Sequence, residues 1–429
     1  MQTVQSLPPS VYADTAVDAL GTPVFDTDAR TSVAIVGAGF AGLSAALHLA
    51  EMGVDVTVLE ANEPGWGASG RNGGQVNPGL KFNPDQLITM FGDDLGRRMI
   101  ARAYGGPDFT FDLIRRLGID CDARQNGTLR AATHEQALDA IRETARQCAA
   151  RGMPTSLLDA SDIRAAAGTS HYSGALFDPR GGDLHPLNYA RGLATAALAA
   201  GVKIHGASRV LSVKRKDGGW RLKTAKATLT ADKLLLAVNA YADDLWPGLK
   251  QSLVPVYSAI VASEPLPDDL AARILPQRPV LYESSHITVY YRLDRQNRLL
   301  MGGRGPQRSL NGNKAAVSYL MRHAERLWPE IKGIGWSHAW NGQLAVTPDH
   351  LPHVHEPSPD TLIYLGCNGR GVALATTMGQ QLANRLVHGK SAQLDLPVSA
   401  IKPMRFHALW PVGVHAAMLW GRFRDAAGL

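Results

Sequence analysis

Ser32-Val33-Ala34-Ile35-Val36-Gly37-Ala38-Gly39-Phe40-Ala41-Gly42-Leu43, an apolar run broken by three spaced glycines, decides how this chain folds. Ser32–Val36 has the β-rich, unalternating character of a parallel strand buried on both faces. Ala41–Met52 carries apolar residues at helical spacing, and Gly53 stands where a C-cap is wanted. Val54–Leu59 then reads as a second strand that ends on Glu60, which completes a βαβ unit. Gly37 permits the tight turn, Gly39 lets backbone amides approach a pyrophosphate, and Gly42 lets helix and strand pack closely. The helix N-terminus offers partial positive charge to phosphates. Glu60, with Ala61 beside it, can accept hydrogen bonds from a ribose diol, and its charge would repel a 2′-phosphate. The stretch therefore predicts a dinucleotide site. The bland alternative is a tight strand–helix turn with no ligand.

Working outward, no second fingerprint of this kind occurs, so one dinucleotide is expected. A second glycine-rich stretch, Gly67-Ala68-Ser69-Gly70-Arg71-Asn72-Gly73-Gly74-Gln75, follows the Glu60 strand closely. A third, Asn368-Gly369-Arg370-Gly371, opens a helix at Val372 whose dipole can stabilise negative charge on a reduced isoalloxazine. Backbone donors around a wide flat ring, with a positive field at one edge, suit a flavin. Elsewhere, residues 93–168 read as largely helical and 187–200 as a further helix. Arg209–Lys214 and Trp220–Lys223 flank an Asp217-Gly218 turn as a hairpin. Leu234–Val238 and Thr361–Leu365 read as buried strands, and Ala315–Leu327 as a helix. Between Val254 and Gly303 the pattern alternates, notably over Ile287–Leu293 and Arg298–Met301. Helix-flanked strands at both ends, with alternating strands between, predict two interleaved domains.

The 429 residues exceed what one core organises. Hydrophobic content of 45% and charged content of 19% are those of a globular protein. A net charge of +6 would attract anions mildly. No dense Lys/Arg run with interleaved aromatics appears, so no nucleic acid is expected as a partner. Cys121, Cys148 and Cys367 lie far apart without Cys/His pairing, which reads as reduced thiols and no metal site. The N-terminus lacks the pattern of a signal peptide and no apolar stretch reaches bilayer length. A cytoplasmic location follows as the expectation.

The set GAGFAGL, Glu60, GASGRNGGQ, GGDLHPLNYARGL, VNAY, YYRLD with RLLMGGR, and GCNGRGVA resembles the D-amino-acid oxidase-like (DAO) family of FAD oxidoreductases. The likeness runs from about residue 10 to 395 and is strongest to the branch holding γ-glutamylputrescine oxidoreductase and bacterial L-pipecolate oxidase. It implies an α/β fold: a glutathione-reductase-like Rossmann FAD domain interleaved with an α+β, mixed-sheet substrate domain. The expected division is an arm over 1–29, an FAD domain over 30–92, 170–246 and 336–395, a substrate domain over 93–169 and 247–335, and a tail over 396–429. By resemblance, Gly37, Gly39, Phe40, Ala41 and Gly42 take the pyrophosphate, and Glu60 and Ala61 the ribose. Gly67, Ala68, Ser69, Arg71, Asn72, Gly73, Gly74 and Gln75 line the phosphate and ring. Val210 meets the adenine, Ala237, Asn239 and Ala240 the ribitol side, and Gly369, Arg370, Gly371 and Val372 the pyrimidine edge. Gly342 stands where covalently flavinylated relatives carry a Cys, so non-covalent FAD is expected, with Cys367 a buried structural thiol. Leu300 stands where oxygen-reactive relatives place a Lys. A missing cation there would slow superoxide formation and favours a quinone of the respiratory chain over oxygen as acceptor.

The resemblance also implies a small amine or amino acid that binds neutral and passes a hydride from the carbon bearing nitrogen to the flavin. No general base is then required, and no catalytic side chain is assigned. L-Pipecolate is the expected substrate, with γ-glutamylputrescine the runner-up. Alternation over residues 286–292 would put His286, Tyr290 and Arg292 on one face and Tyr291 on the other. Arg292 and Arg370 are candidates for a substrate carboxylate, although Arg292 could equally be tied in a structural salt bridge. Tyr290, Tyr291, Trp340 and Asn368 are candidate pocket walls, or plain core. In the tail, Phe406, Trp410, Met418, Leu419, Trp420 and Phe423 lie among Arg405, Arg422 and Arg424. That is the composition of an interfacial membrane anchor on the inner face, or of a helix docked on the body or a partner. An RNA-modifying flavoprotein and a non-catalytic FAD-binding protein are the rival classes.

Overall fold

The computed structural model describes residues 5–427, so the first four residues of the arm and the last two of the tail lie outside the described residues. Strand Ala29–Val36 sits at the centre of an eight-stranded sheet, parallel to Val56–Leu59 on one side and Thr228–Leu236 on the other. Thr361–Leu365 and Lys203–His205 extend it in parallel, and His353–His355 closes one edge antiparallel. The hairpin Ser212–Lys216/Gly219–Lys223 joins it at Thr228–Leu236, turned through Asp217 and Gly218, both at positive φ. Helices Phe40–Glu51, Pro186–Ala199 and Gly371–His388 cover the sheet, and the last packs along the first. Ser44 donates to the Thr376 carbonyl at 2.7 Å across that contact. Residues buried on both faces explain the unalternating apolar runs at Ile35, Val58, Leu235 and Ile363.

The second sheet also has eight strands, in the order Trp336–Val346, Val254–Ser263, Leu299–Arg304, Tyr290–Leu293, Val280–Glu283, Thr128–Ala132, Gly174–Asp178 and Ser156–Leu158. It is antiparallel except where Val280–Glu283 runs parallel to Thr128–Ala132. A Rossmann-type α/β unit is thus interleaved with a mixed-sheet unit. Two strands fall on the other side of the boundaries expected from sequence. Gly174–Asp178 and Trp336–Val346 both pair within the second sheet, because strand partners are chosen by long-range ladders that local pattern does not encode.

Two further expectations change. The alternating strand over 287–293 is only Tyr290–Leu293. The expected arm is in part packed into the body: Ser10 caps a short helix, Val11–Thr15, and Val11 and Tyr12 are buried against Leu187, Ile260, Leu300 and Trp340. Tyr12 stacks edge-on against Trp340 at 5.1 Å between ring centroids.

Candidate functional site: an elongated cofactor cavity at the seam

The first sheet ends where the βαβ turn begins, and there a cavity of about 1690 Å³ opens. Gly37 holds φ 103°, and a side chain on it would strike the carbonyl of Ala237 from the neighbouring strand. A Cβ on Gly42 would overlap the Gly37 carbonyl oxygen, so only glycine lets the helix start this close to the strand. The helix begins at Gly39 with no capping side chain, which leaves first-turn amides for a pyrophosphate. Phe40 N–H donates to Ser69 Oγ at 3.1 Å, pinning the second glycine-rich stretch beside the first. Glu60 Oε2 accepts from Ala38 N–H at 2.8 Å and Oε1 from Asn62 N–H at 2.9 Å. Desolvation pushes its carboxyl above the usual range against those bonds, so a ribose diol donating to it would relieve an electrostatic cost.

Of the residues expected to hold FAD, Gly37, Gly39, Glu60, Ala61, Gly67, Ala68, Ser69, Arg71, Val210, Ala237, Asn239 and Ala240 line this cavity. Phe40, Ala41 and Gly42 lie behind it, buried in the first helical turn. Gly342 sits outside the lining proper, against the Arg71 side chain, while its neighbours Asn341 and Gln343 form part of the wall. Asn72 is a brace: its amide donates to the Ala68 and Ser69 carbonyls and its oxygen accepts from Gly74 N–H. Gln75 stitches the units together by donating to the Leu281 and Tyr291 carbonyls. Gly73 and Gly74 are tight because Tyr290 and Arg292 press on them. Gly369, Arg370, Gly371 and Val372 form the start of the helix Gly371–His388, which also lacks a capping side chain. They do not line the large cavity.

Several substrate candidates are corrected. Arg292 is fully consumed: Nη1 donates to Asp183 at 2.7 Å, Nε to the Gly73 carbonyl, and Nη2 to Tyr12 and the Leu184 carbonyl. Asp183 is also held by Arg124 at 2.6 Å. The salt bridge competes with a substrate carboxylate and wins, because both partners are buried. The Tyr291 hydroxyl points into the second core and bonds Tyr172. Asn368, at φ 48°, spends its amide on Thr347 and the Gly366 carbonyl, shaping the turn. Trp340 is wholly buried and its indole N–H donates to the Arg71 carbonyl. His286 is exposed beside Gly421 of the terminal helix, off any strand. Tyr290 remains at the seam, packed between Gly73 and Gly302 with its hydroxyl on Ser258. Arg370 donates to the Pro78 carbonyl and to the Tyr282 hydroxyl. Cys367 is half-buried, not buried, and accepts from the Asn239 amide at 3.2 Å.

Other groups escaped sequence reading. Gln5, Ser6, Leu7, Pro8 and Pro9 of the arm and His407 and Trp410 of the tail line the large cavity. A second, small cavity at the seam is walled by Pro78, Lys81, Tyr104, Arg130, Tyr282 and Arg370 among others. Lys81 lies only six residues beyond the Gly67–Gln75 stretch, so its position was the one available signal. His171, Glu283 and His323 also come together, although no metal site was expected. Arg326 donates to His323 Nδ1 at 2.7 Å, which leaves the Nε2 proton facing Glu283 Oε1 at 2.7 Å. That arrangement is satisfied by hydrogen bonds and turns no lone pair of His323 towards a metal.

Comparison with known proteins agrees with this geometry. The FAD dependent oxidoreductase (DAO) family profile matches residues 32–385, and the chain belongs to that family. It is 32% identical over 391 residues to gamma-glutamylputrescine oxidoreductase of Escherichia coli (strain K12), covering 90% of each chain. It is 31% identical over 386 residues to the probable oxidoreductase OrdL of Haemophilus influenzae, covering 88% of each. Among solved structures, glycine oxidase from Geobacillus kaustophilus superposes with a TM-score of 0.72 at 24% identity, covering 88% of this chain and 99% of that one. The protein is an FAD-dependent oxidoreductase acting on amines or amino acids.

Proposed function

We propose that this enzyme oxidises the primary amine of a carboxylate-bearing amine of the γ-glutamylputrescine type, by hydride transfer from the carbon bearing nitrogen to FAD. The observation that carries this reading is the likeness to gamma-glutamylputrescine oxidoreductase over 90% of both chains. FAD, when bound, supplies the two-electron acceptor. The residues lining the large cavity would hold it. The L-pipecolate expectation stands as the competing arm of the test. That test is anaerobic bleaching of the bound flavin by γ-glutamylputrescine, L-pipecolate, L-proline, D-amino acids and sarcosine. Fast bleaching by γ-glutamylputrescine supports the proposal; fast bleaching by L-pipecolate alone overturns it.

We also propose that the tail meets a membrane surface, where FAD, once reduced, would pass its electrons to a quinone. Phe406, Leu409, Val412, Leu419, Trp420 and Phe423 are each 58–70% exposed, along a segment whose sequence holds Lys402, Arg405, Arg422 and Arg424 against Asp425. No described helix is long and apolar enough to cross a membrane, so an interfacial seat suits it. His407 and Trp410, in the same segment, border the cofactor cavity. Co-flotation with anionic vesicles that vanishes on deleting residues 404–429 supports this seat; unchanged partitioning overturns it.

A further inference from the structure

Four cations converge where the two sheets meet, and none has a carboxylate partner among the described residues. Arg370 is fixed by the Pro78 carbonyl and lies 5.2 Å from the centre of the Tyr282 ring. Arg130 stands beside Tyr282 in the ladder and is steadied by the Ser284 hydroxyl. Arg304 ends the strand that carries Gly302, opposite Ser258, whose neighbour Tyr257 lines the large cavity. Lys81 shares the wall of the small cavity with Arg130 and Arg370, and its ammonium has no hydrogen-bond partner among the described residues. Desolvation first, then the like charges of Arg370, Arg304 and Arg130, push that ammonium below its ordinary range. Nearby carboxylates are already engaged, Asp178 by Arg180 at 2.6 Å and Asp349 by His353 at 3.0 Å. Gathering like charges without a counter-ion costs folding stability, and such an arrangement marks an anion-binding site. A reduced flavin, when bound, would answer one of these charges, which would leave the rest for a substrate.

We propose that Lys81 and Arg304, backed by Arg130 and Arg370, form the subsite that grips the substrate's carboxylate. This rests on the amine-oxidase reading above and adds the residues that would select for a carboxylate. Specificity is thus placed on the loop after Gln75 and on a strand end, not on the Arg292 face.

The test uses the FAD-loaded enzyme. Glutarate, a carboxylate without an amine, should perturb the flavin absorbance on titration, and Lys81→Met and Arg304→Met should each weaken it about tenfold or more. The same variants should raise KM for γ-glutamylputrescine to a similar extent while KM for putrescine, FAD content and the resting spectrum stay as in the parent. Unchanged glutarate affinity in both variants overturns the subsite, as does chloride binding equally well. If glutarate binds through Lys81 but no amine bleaches the flavin, the subsite stands and the amine-oxidase reading falls.

Discussion

Asp183→Asn is the substitution that separates a structural Arg292 from a substrate-binding one. Asp183 is 1% exposed in its side chain and Arg292 6%, at 2.7 Å, with Arg124 sharing the same carboxylate at 2.6 Å. Neutralising the aspartate leaves the Arg292 guanidinium buried without an anion, while Arg124, 27% exposed, can turn to water. Breaking a buried pair from one side costs about 3–5 kcal/mol. At about 2–4 °C per kcal/mol for a domain-sized unit, the holoenzyme should melt roughly 6–20 °C lower. Arg292 also grips the Gly73 carbonyl and abuts Gly74, so the glycine-rich stretch should loosen and FAD should be released early. Flavin fluorescence followed during a thermal ramp reads both effects at once. The reasoning is refuted if Asp183→Asn melts with the parent while Arg292→Met raises only KM for the amine.

Three further outcomes are expected. Gly42→Ala should yield protein without flavin, since the new methyl meets the Gly37 carbonyl oxygen and, at 3.4 Å, Ile35, whereas Gly39→Ala meets only the movable Ser69 hydroxyl and should lose less; FAD content on purification decides. Deleting residues 1–9 spares the Ser10 cap and Tyr12 but unroofs the cavity, so FAD should dissociate about tenfold faster, equivalent to about 1.4 kcal/mol; a parental off-rate measured by dilution would exclude a retaining role for Gln5–Pro9. Burial pushes His185 down from 6.5 to about 4, while its ring accepts from Asn188 N–H at the start of a helix. The unfolded chain therefore takes up the proton first. The contribution is whole above pH 6.5 and is lost as pH falls towards 4, to a limit of about 3 kcal/mol. His185→Asn keeps a capping oxygen without titrating, and denaturant midpoints should fall less with acid; parallel profiles would count against the assignment.

The candidate site was legible wherever chemistry is local. Gly37, Gly39, Gly42 and Glu60 could be read because a strand, turn, helix and acid spaced along one segment must meet, whatever the rest of the chain does. The Gly67–Gln75 stretch was found by composition, yet Asn72, Gln75 and Gly74 proved to brace the loop and join the units instead of lining the cavity. Arg292 stayed ambiguous in sequence because its partner, Asp183, is 109 residues away. Only the tertiary structure could say which anion it meets. The same reason hid Lys81: Arg130, Arg304 and Arg370 come from distant segments, and no local period marks their convergence with it. By itself, then, the amino-acid sequence determined the cofactor turn and the class of chemistry. The meeting of two sheets decided which charges are spent on folding and which are left over for a ligand, since burial and Coulomb energies depend on distance in space and not along the chain.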